Sequence, residues 1–119
     1  MQAPLRWQSA EEVSFEHGRA DLVPRCQDKI GGLAAWVKQH PGVEVALGVR
    51  ANQALTGEHD GRIGPARVQT VREALIAAGV APARIHSTTF DLLPASCTGA
   101  TSSCYERNRR VEVFFGQRD

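Results

Sequence analysis

Residues 41–50 read PGVEVALGVR and carry the plainest structural signal in the chain. Apolar side chains at positions 43, 45, 47 and 49 alternate with charged or small residues, which is the period of a strand with one buried face. Pro41 and Gly42 stop the segment that precedes the strand. The stretch therefore predicts a strand, and the segments on either side can be assigned outward from it.

The segment before this strand has the pattern of an amphipathic helix. Asp21 and Pro24 form a helix entry, and the helix is expected to run to about His40. Apolar residues repeat inside it at helical spacing, namely Cys26, Ile30, Leu33 and Val37. Gly31 and Gly32 disfavour a helix interior, so we expect another part of the chain to pack closely against the backbone there.

A second helix is predicted after the strand, over about Gly64 to Ala78. Its apolar residues recur at steps of three and four until Gly79, a residue suited to a left-handed helix cap. Between the strand and this helix, residues 52–61 are polar and contain Glu58 and Asp60. We predict that this stretch is an exposed loop, because it has too few apolar residues to be buried.

Three further strands complete the predicted order: Glu12 to Phe15, Ile85 to Phe90, and Arg110 to Phe115. The order β-α-β-α-β-β predicts an α+β fold, a two-layer sandwich in which both helices cover one face of a mixed four-stranded sheet. At 119 residues the chain has room for one hydrophobic core. Residues 1–119 are therefore expected to form a single domain, with its core at about 12–116.

Composition and motifs exclude several classes of function. The formal net charge of +1 gives no field that would collect nucleic acid, and no apolar run approaches the roughly 20 residues of a membrane span. The chain has no phosphate-binding loop, no dinucleotide-binding glycine motif and no recognised nucleophile signature. We expect a protein that is not an enzyme, holds no cofactor, binds no nucleic acid and inserts no part of this segment into a membrane.

The chain has three cysteines. Cys97 and Cys104 flank a short stretch rich in Ser, Thr and Gly, and we favour a disulfide between them that would stabilise the fold by roughly 2.5 kcal/mol. Such a bridge is typical of an oxidising compartment. A metal site is the weaker alternative, because the spacing is not C-x-x-C and the four histidines are scattered. Cys26 lies on the apolar stripe of the first helix and is expected to be a buried, inert thiol.

Two local signatures, in matching order and spacing, resemble a known family. Residues 108–112 read NRRVE at the entrance to the last predicted strand, and residues 79–85 read GVAPARI, which is similar to a G-V-x-x-x-R-I turn. Together with Arg67 on the second helix, they make the chain from about Val13 to Phe115 resemble the OmpA C-terminal-like domain. That family occurs in outer-membrane proteins, peptidoglycan-associated lipoproteins and flagellar motor stators.

The resemblance implies a binding site for peptidoglycan, through the diaminopimelate of its stem peptide, which presents an ammonium and a carboxylate on one carbon. In the family, an aspartate in a G-H-T-D motif and an arginine in an L-S-x-x-R-A motif supply the opposite charges. An ungapped alignment places Asn52 where the aspartate would be and Arg67 where the arginine would be. An amide binds an ammonium more weakly than a carboxylate does. Glu58 or Asp60 in the intervening loop could supply the missing charge.

Arg109 is the remaining ligand contact that the resemblance implies, because an arginine of the N-R-R motif lies beside the family's pocket. Strand alternation sends Arg109 and Arg110 to opposite faces, so that one could bind and the other pack. The alternative for these arginines and for Arg67 is a surface position, where an ion pair contributes less than about 1 kcal/mol. The predicted ligand-binding set is therefore Asn52, Asp60, Arg67 and Arg109.

Two functions remain open from the sequence. In the first, the domain binds peptidoglycan non-covalently in the periplasm and anchors an envelope protein to the cell wall, with attachment to the outer or inner membrane through a segment outside this sequence. In the second, a degenerate domain has kept the fold, has lost wall binding and serves as a protein-protein interaction module for other envelope proteins. The replacement of the family aspartate by Asn52 is the main support for the second.

Overall fold

The computed structural model of the protein describes residues 5–49, 56–58, 62–86 and 99–118. Within them the elements are β1 Leu5–Ser14, α1 Pro24–Gln39, β2 Glu44–Val49, α2 Ile63–Ala77, β3 Ile85–His86, α3 Ser102–Asn108 and β4 Arg110–Arg118. A short 3-10 turn, Pro82–Arg84, leads into β3. In these ranges no helix is both long enough and apolar enough to cross a membrane.

The four strands form one mixed sheet in the order β1-β4-β2-β3. The last strand of the sequence, β4, lies inside the sheet and runs antiparallel to both β1 and β2, whereas β2 and β3 are parallel. The predicted α+β fold with a mixed four-stranded sheet is confirmed, and so is the order β-α-β-α-β-β, to which the structure adds the short helix α3 between β3 and β4.

The core lies between the sheet and helices α1 and α2. The register pairs Leu47 with Val113 and Val49 with Val111, so that the alternating apolar residues of β2 and β4 share the helix-facing side. Each helix buries one stripe against them, which consists of Cys26, Ile30, Ala34 and Val37 from α1 and Val71 and Leu75 from α2. Leu33, predicted for this stripe, is only partly buried, and Ala34 lies at the contact instead. Cys26 is buried and unbridged, as predicted.

The first strand is longer than predicted, because β1 begins at Leu5 and not at Glu12. Residues 6–10 are exposed, since β1 lies at the edge of the sheet, and the register shifts between Ser9 and Glu11. An exposed edge and an irregular register remove the period-two pattern by which a strand is recognised in a sequence. Of the predicted strand Ile85 to Phe90, only the first two residues lie within the described ranges.

Helix α3 was not predicted: it begins in the stretch rich in Ser, Thr and Gly that precedes Cys104 and continues to Asn108. It begins after Thr101, whose hydroxyl accepts a hydrogen bond from the Cys104 N–H at 3.2 Å, and it buries only Cys104 and Asn108. Seven residues with two buried positions provide no apolar repeat to recognise. The expectation of close packing at Gly31 and Gly32 is wrong, because a Cβ added to either residue would have no atom within 4 Å.

Arg84, from the family-like GVAPARI turn, ties α1 and β2 together. Its Nε donates to the Val43 carbonyl at 3.0 Å, and its Nη2 donates to the carbonyls of Val37, His40 and Val43 at 2.9, 2.8 and 2.8 Å. Two of these carbonyls lie at the end of α1, where Val37 also accepts from the His40 N–H and His40 from the Val43 N–H, so the guanidinium adds a second donor to each. The guanidinium therefore acts as a C-terminal cap that belongs to a distant part of the chain.

Replacing Arg84 by alanine is expected to lower the free energy of unfolding by about 2 kcal/mol, since several hydrogen bonds from a charged donor are lost and the Val43 carbonyl loses its partner. Arg84→Lys keeps the charge but cannot reach all three carbonyls from one ammonium, so it should lose less. Urea denaturation of both variants measures the difference. An alanine variant with the parental midpoint would show that water replaces the guanidinium at no cost.

Candidate binding groove

Three segments meet at one end of the sheet and form the candidate site. They are residues 15–19 after β1, residues 56–58 before α2, and the junction of α3 and β4 at Arg109. The backbone joins the first and the last of these, since the Phe15 N–H donates to the Arg109 carbonyl at 2.9 Å. All the described side chains from the predicted ligand-binding set project from α2 or from this junction.

The centre of the site is an ion pair between Arg67 of α2 and Glu58. Nη1 of Arg67 donates to Oε1 of Glu58 at 2.7 Å, and Nη2 donates to Oε2 at 2.6 Å. The two side chains are 2% and 3% exposed. The contact is therefore a buried, bidentate arginine-carboxylate pair, which is the strongest geometry that these two groups form.

The same pair holds the segment that follows β1. Arg67 Nε donates to the Arg19 carbonyl at 2.9 Å, Nη2 donates to the Glu16 carbonyl at 3.1 Å, and the guanidinium carbon lies 5.3 Å from the centre of the Phe15 ring. Glu58 accepts a hydrogen bond from the Gly18 N–H at 2.8 Å. Residues 15–19 are thus fastened to α2 and to Glu58 by polar bonds inside the protein.

The ionised form of Glu58 is favoured by these contacts. Burial raises the pKa of the carboxyl, but hydrogen bonds from Arg67, from the Gly18 N–H and from Thr56, together with the charge of Arg67, outweigh burial. The net result is a pKa below the ordinary value for glutamate. Glu58 is therefore a carboxylate at neutral pH although its side chain has almost no contact with solvent.

The prediction of an exposed loop is wrong for residues 56–58. Thr56 and Glu58 are both buried, because Arg67 supplies the polar partner that makes burial of a carboxylate tolerable. Gly57 between them has a φ of +71°, and a Cβ at this position would lie 2.7 Å from the Tyr105 ring of α3. The segment is wedged between α2 and α3, and only a glycine fits at its middle.

A groove of about 690 Å³ opens beside this cluster. Its walls come from residues 14–17, from Val23 to Arg25 at the start of α1, and from Glu106, Arg109 and Arg110. The groove therefore carries basic side chains of three arginines and the carboxylates of Glu16 and Glu106. Such a mixture can bind a ligand that presents both signs of charge.

The arginines of the N-R-R motif have different surroundings. Arg109 donates from Nε to the Thr56 carbonyl at 2.9 Å, lies 4.0 Å from Oε2 of Glu58, and is 13% exposed. Arg110 forms an ion pair with Glu12 on β1. Strand alternation predicted opposite faces for the two side chains, but Arg109 precedes β4 and both side chains line the groove. Which of them contacts a ligand stays a prediction.

The structure brings together two of the four predicted ligand residues, Arg67 and Arg109, around Glu58. Asn52 and Asp60 lie outside the described residues, and their roles stay predictions. Cys97 also lies outside them, so the bridge to Cys104 stays a prediction. From the sequence, Glu58 is predicted only as a possible source of the missing negative charge. No sequence pattern predicts its burial, because burial depends on a contact with Arg67, nine residues further along on α2.

Comparisons with known proteins agree with this architecture. The chain is 33% identical over 105 residues to the probable lipoprotein YiaD of Escherichia coli strain K12, a match that covers 85% of this chain and 46% of the relative. This chain thus spans about half the length of that protein. No protein-family model matches the chain.

Two solved structures share the fold at low sequence identity. The peptidoglycan-associated lipoprotein from Burkholderia pseudomallei superposes with a TM-score of 0.75 at 20% identity and covers 89% of this chain and 90% of its own. The OmpA-like domain of FopA1 from Francisella tularensis gives a TM-score of 0.68 at 16% identity, with 98% of this chain and 82% of the other covered. Identities of this size establish a common fold, and any shared function has to be argued from the site.

Proposed function

We propose that this chain, which has the OmpA-like fold, binds peptidoglycan without a covalent bond and thereby anchors an envelope protein to the cell wall. One of the structures that shares the fold is a peptidoglycan-associated lipoprotein, and the relative with 33% identity is a probable lipoprotein. Both names belong to those proteins and support the same cellular setting for this chain. The proposed setting is the periplasm, with attachment to the inner or outer membrane through a segment beyond this sequence.

The observation that carries the proposal is the groove with both signs of charge at the end of the sheet. The diaminopimelate of a stem peptide ends in a carbon that bears an ammonium and a carboxylate, so a protein that grips it needs a donor cation and an acceptor carboxylate a few ångströms apart. Arg109 and Glu106 line one groove and provide both kinds of group. We propose diaminopimelate as the group recognised and a binding role without catalysis.

The proposal is tested by co-sedimentation of the purified domain with peptidoglycan sacculi that contain diaminopimelate. We expect saturable binding that free diaminopimelate competes away, and weaker binding to sacculi whose stem peptides carry lysine, which lacks the second carboxylate. Salt should weaken the interaction, since its main contacts are between charges close to solvent. A folded domain that stays in the supernatant at all sacculus concentrations would reject the proposal.

The second candidate function is a protein-protein interaction module in the envelope. It is favoured by the buried pair, because Arg67, the residue at the family's arginine position, already binds a carboxylate of its own chain. The Asn52→Asp variant separates the two functions. If the parent protein does not bind sacculi and the variant does, the parent is a degenerate domain, whereas strong binding by the parent supports the wall-binding function.

A further inference from the structure

The buried Arg67–Glu58 pair changes which residues are able to receive a ligand. Resting on the proposed wall binding, we infer that the ligand carboxylate binds to Arg109 and Arg25 in the groove, that Glu16 and Glu106 face the ligand ammonium, and that Arg67 is a positioning residue. Glu58 then supplies, from the same chain, the carboxylate that forms the bidentate contact with the Arg67 guanidinium.

Arg67 has almost no donor left for a ligand. A guanidinium has five N–H groups. Nε is used by the Arg19 carbonyl, Nη1 by Glu58, and Nη2 by Glu58 and the Glu16 carbonyl, which leaves at most one N–H of a side chain that is 2% exposed. A ligand carboxylate could make a bidentate contact with Arg67 only by expelling Glu58.

Expulsion of Glu58 is costly because this carboxylate is satisfied where it lies. It accepts hydrogen bonds from two nitrogens of Arg67 and from the Gly18 N–H, and Arg109 is 4.0 Å away. Removing one member of a buried pair also leaves the other charge without compensation. A ligand carboxylate that displaced Glu58 would only replace one ion pair with Arg67 by an equivalent one. The packing around residues 56–58 would also have to open.

Unlike Arg67, Arg109 and Arg25 line the groove and keep N–H groups that no described residue accepts from. The Nε of Arg109 is anchored on the Thr56 carbonyl at 2.9 Å, and neither of its terminal nitrogens donates to a residue within the described part of the chain. Arg25 is exposed on the first turn of α1 and likewise has no hydrogen-bond partner in those ranges. Both side chains line the groove, so they present a preorganised cation and a mobile one to the same space.

The acidic half of the site comes from Glu16 and Glu106. Both carboxylates line the groove with the two arginines, and both lie on exposed residues. Among the described residues neither carboxylate forms an ion pair. When the ligand carboxylate is bound at Arg109, the ligand ammonium can therefore contact the carboxylates of Glu16 and Glu106, which have no other ion-pair partner among the described residues. The two opposite charges on one ligand carbon are thus each faced by the opposite charge on the protein.

The test is a titration of soluble muropeptides into the domain, with one set that carries diaminopimelate and one that carries lysine. Arg109→Gln and Arg25→Gln are each expected to weaken binding of the diaminopimelate form by roughly tenfold, the loss of one charge-assisted contact. Both substitutions should also reduce the ratio of affinities for the diaminopimelate form and the lysine form. A purely structural role of these arginines would leave that ratio unchanged. Arg72→Gln, a partly exposed arginine of α2 outside the groove, is the matched control. Arg25→Gln is the decisive variant, because its side chain makes no internal bond whose loss would unfold the protein.

Glu58→Gln supplies the opposing test. If Arg67 is only a positioning residue, this variant, compared with the parent under conditions where circular dichroism shows both to be folded, should bind no more tightly than the parent. A tenfold gain in affinity would show that freeing Arg67 creates the real contact, and it would overturn the inference. Parental binding by both Arg25→Gln and Arg109→Gln would overturn it as well while leaving the proposed wall binding intact. A parent protein that binds no muropeptide would reject both.

Discussion

The Arg67→Ala variant is expected to lose about 3–5 kcal/mol of unfolding free energy, the cost of leaving one member of a buried ion pair without its partner. Glu58 would keep its position only as a carboxylate 3% exposed to solvent, with the Gly18 N–H as a remaining donor. The Arg19 carbonyl would lose its donor at the same time, and the Glu16 carbonyl would keep only the Arg19 N–H. Since small domains are stable by only about 5–15 kcal/mol, a loss of this size is a large fraction of the total, and the variant should unfold at a clearly lower temperature than the parent.

Urea and thermal denaturation measure this loss of unfolding free energy. Two further variants show whether the loss is due to the ion pair. Arg72→Ala removes a partly exposed arginine from the same helix and should change stability by less than about 0.5 kcal/mol. The double variant Arg67→Met with Glu58→Leu removes both charges and restores apolar volume, so it should recover much of the loss. If Arg67→Ala proves as stable as Arg72→Ala, the pair is not the structural tie that its geometry indicates.

This expectation affects how binding data on the domain are interpreted. A loss of wall binding in Arg67→Ala would follow from loss of a contact with the ligand and equally from the collapse of residues 15–19, of which residues 15–17 line the groove. Only a variant whose fold is shown to be intact separates the two causes. Arg25 and Arg109 are better probes, because both line the groove and, within the described residues, Arg25 makes no hydrogen bond and Arg109 donates only from Nε.

The parts of the fold that the sequence predicts correctly share one physical property. In α1 and α2, buried side chains recur at the helical period, because each helix has one face against the core and the other toward solvent. In β2 the large apolar residues alternate as predicted, but Ala46 and Gly48 between them are also buried, so the expectation of a single buried face is wrong for this strand. The helix α2 was predicted for about Gly64 to Ala78 and is found at Ile63–Ala77. Where an element lacks a continuous buried face, as in the exposed half of β1 and in α3, the sequence contains no comparable signal.

The sequence predicts which arginines lie at the candidate site, but it does not predict which groups they bond to. The resemblance of local motifs was enough to single out Arg67 and Arg109, and both lie at the same end of the sheet. The partner of Arg67 depends on how residues 56–58 enter the space between α2 and α3, which involves the positive φ of Gly57 and its contact with Tyr105. Contacts of this kind arise from tertiary packing, and they override the local polarity that indicated an exposed loop.

The same pair makes the domain sensitive to acid, and the sign of the effect follows from the lowered pKa of Glu58. A carboxyl whose pKa is lower in the folded than in the unfolded chain stabilises the fold fully above its unfolded value, which is ordinarily 4.5 for glutamate. This contribution is lost as the pH falls through the lower folded pKa. We therefore expect the unfolding free energy to be level near neutral pH and to decrease below about pH 4.5.

The slope that one such group contributes cannot exceed about 1.4 kcal/mol per pH unit, because it reflects the uptake of a single proton on unfolding. Asp21 also has a lowered pKa, owing first to its hydrogen bond with Arg19, but that pair is exposed and contributes little. Glu58→Gln isolates the buried group, since glutamine has a similar shape and cannot ionise. Urea denaturation between pH 3 and 7 should give a flatter profile for this variant than for the parent, and parallel profiles would place the acid sensitivity in other carboxylates.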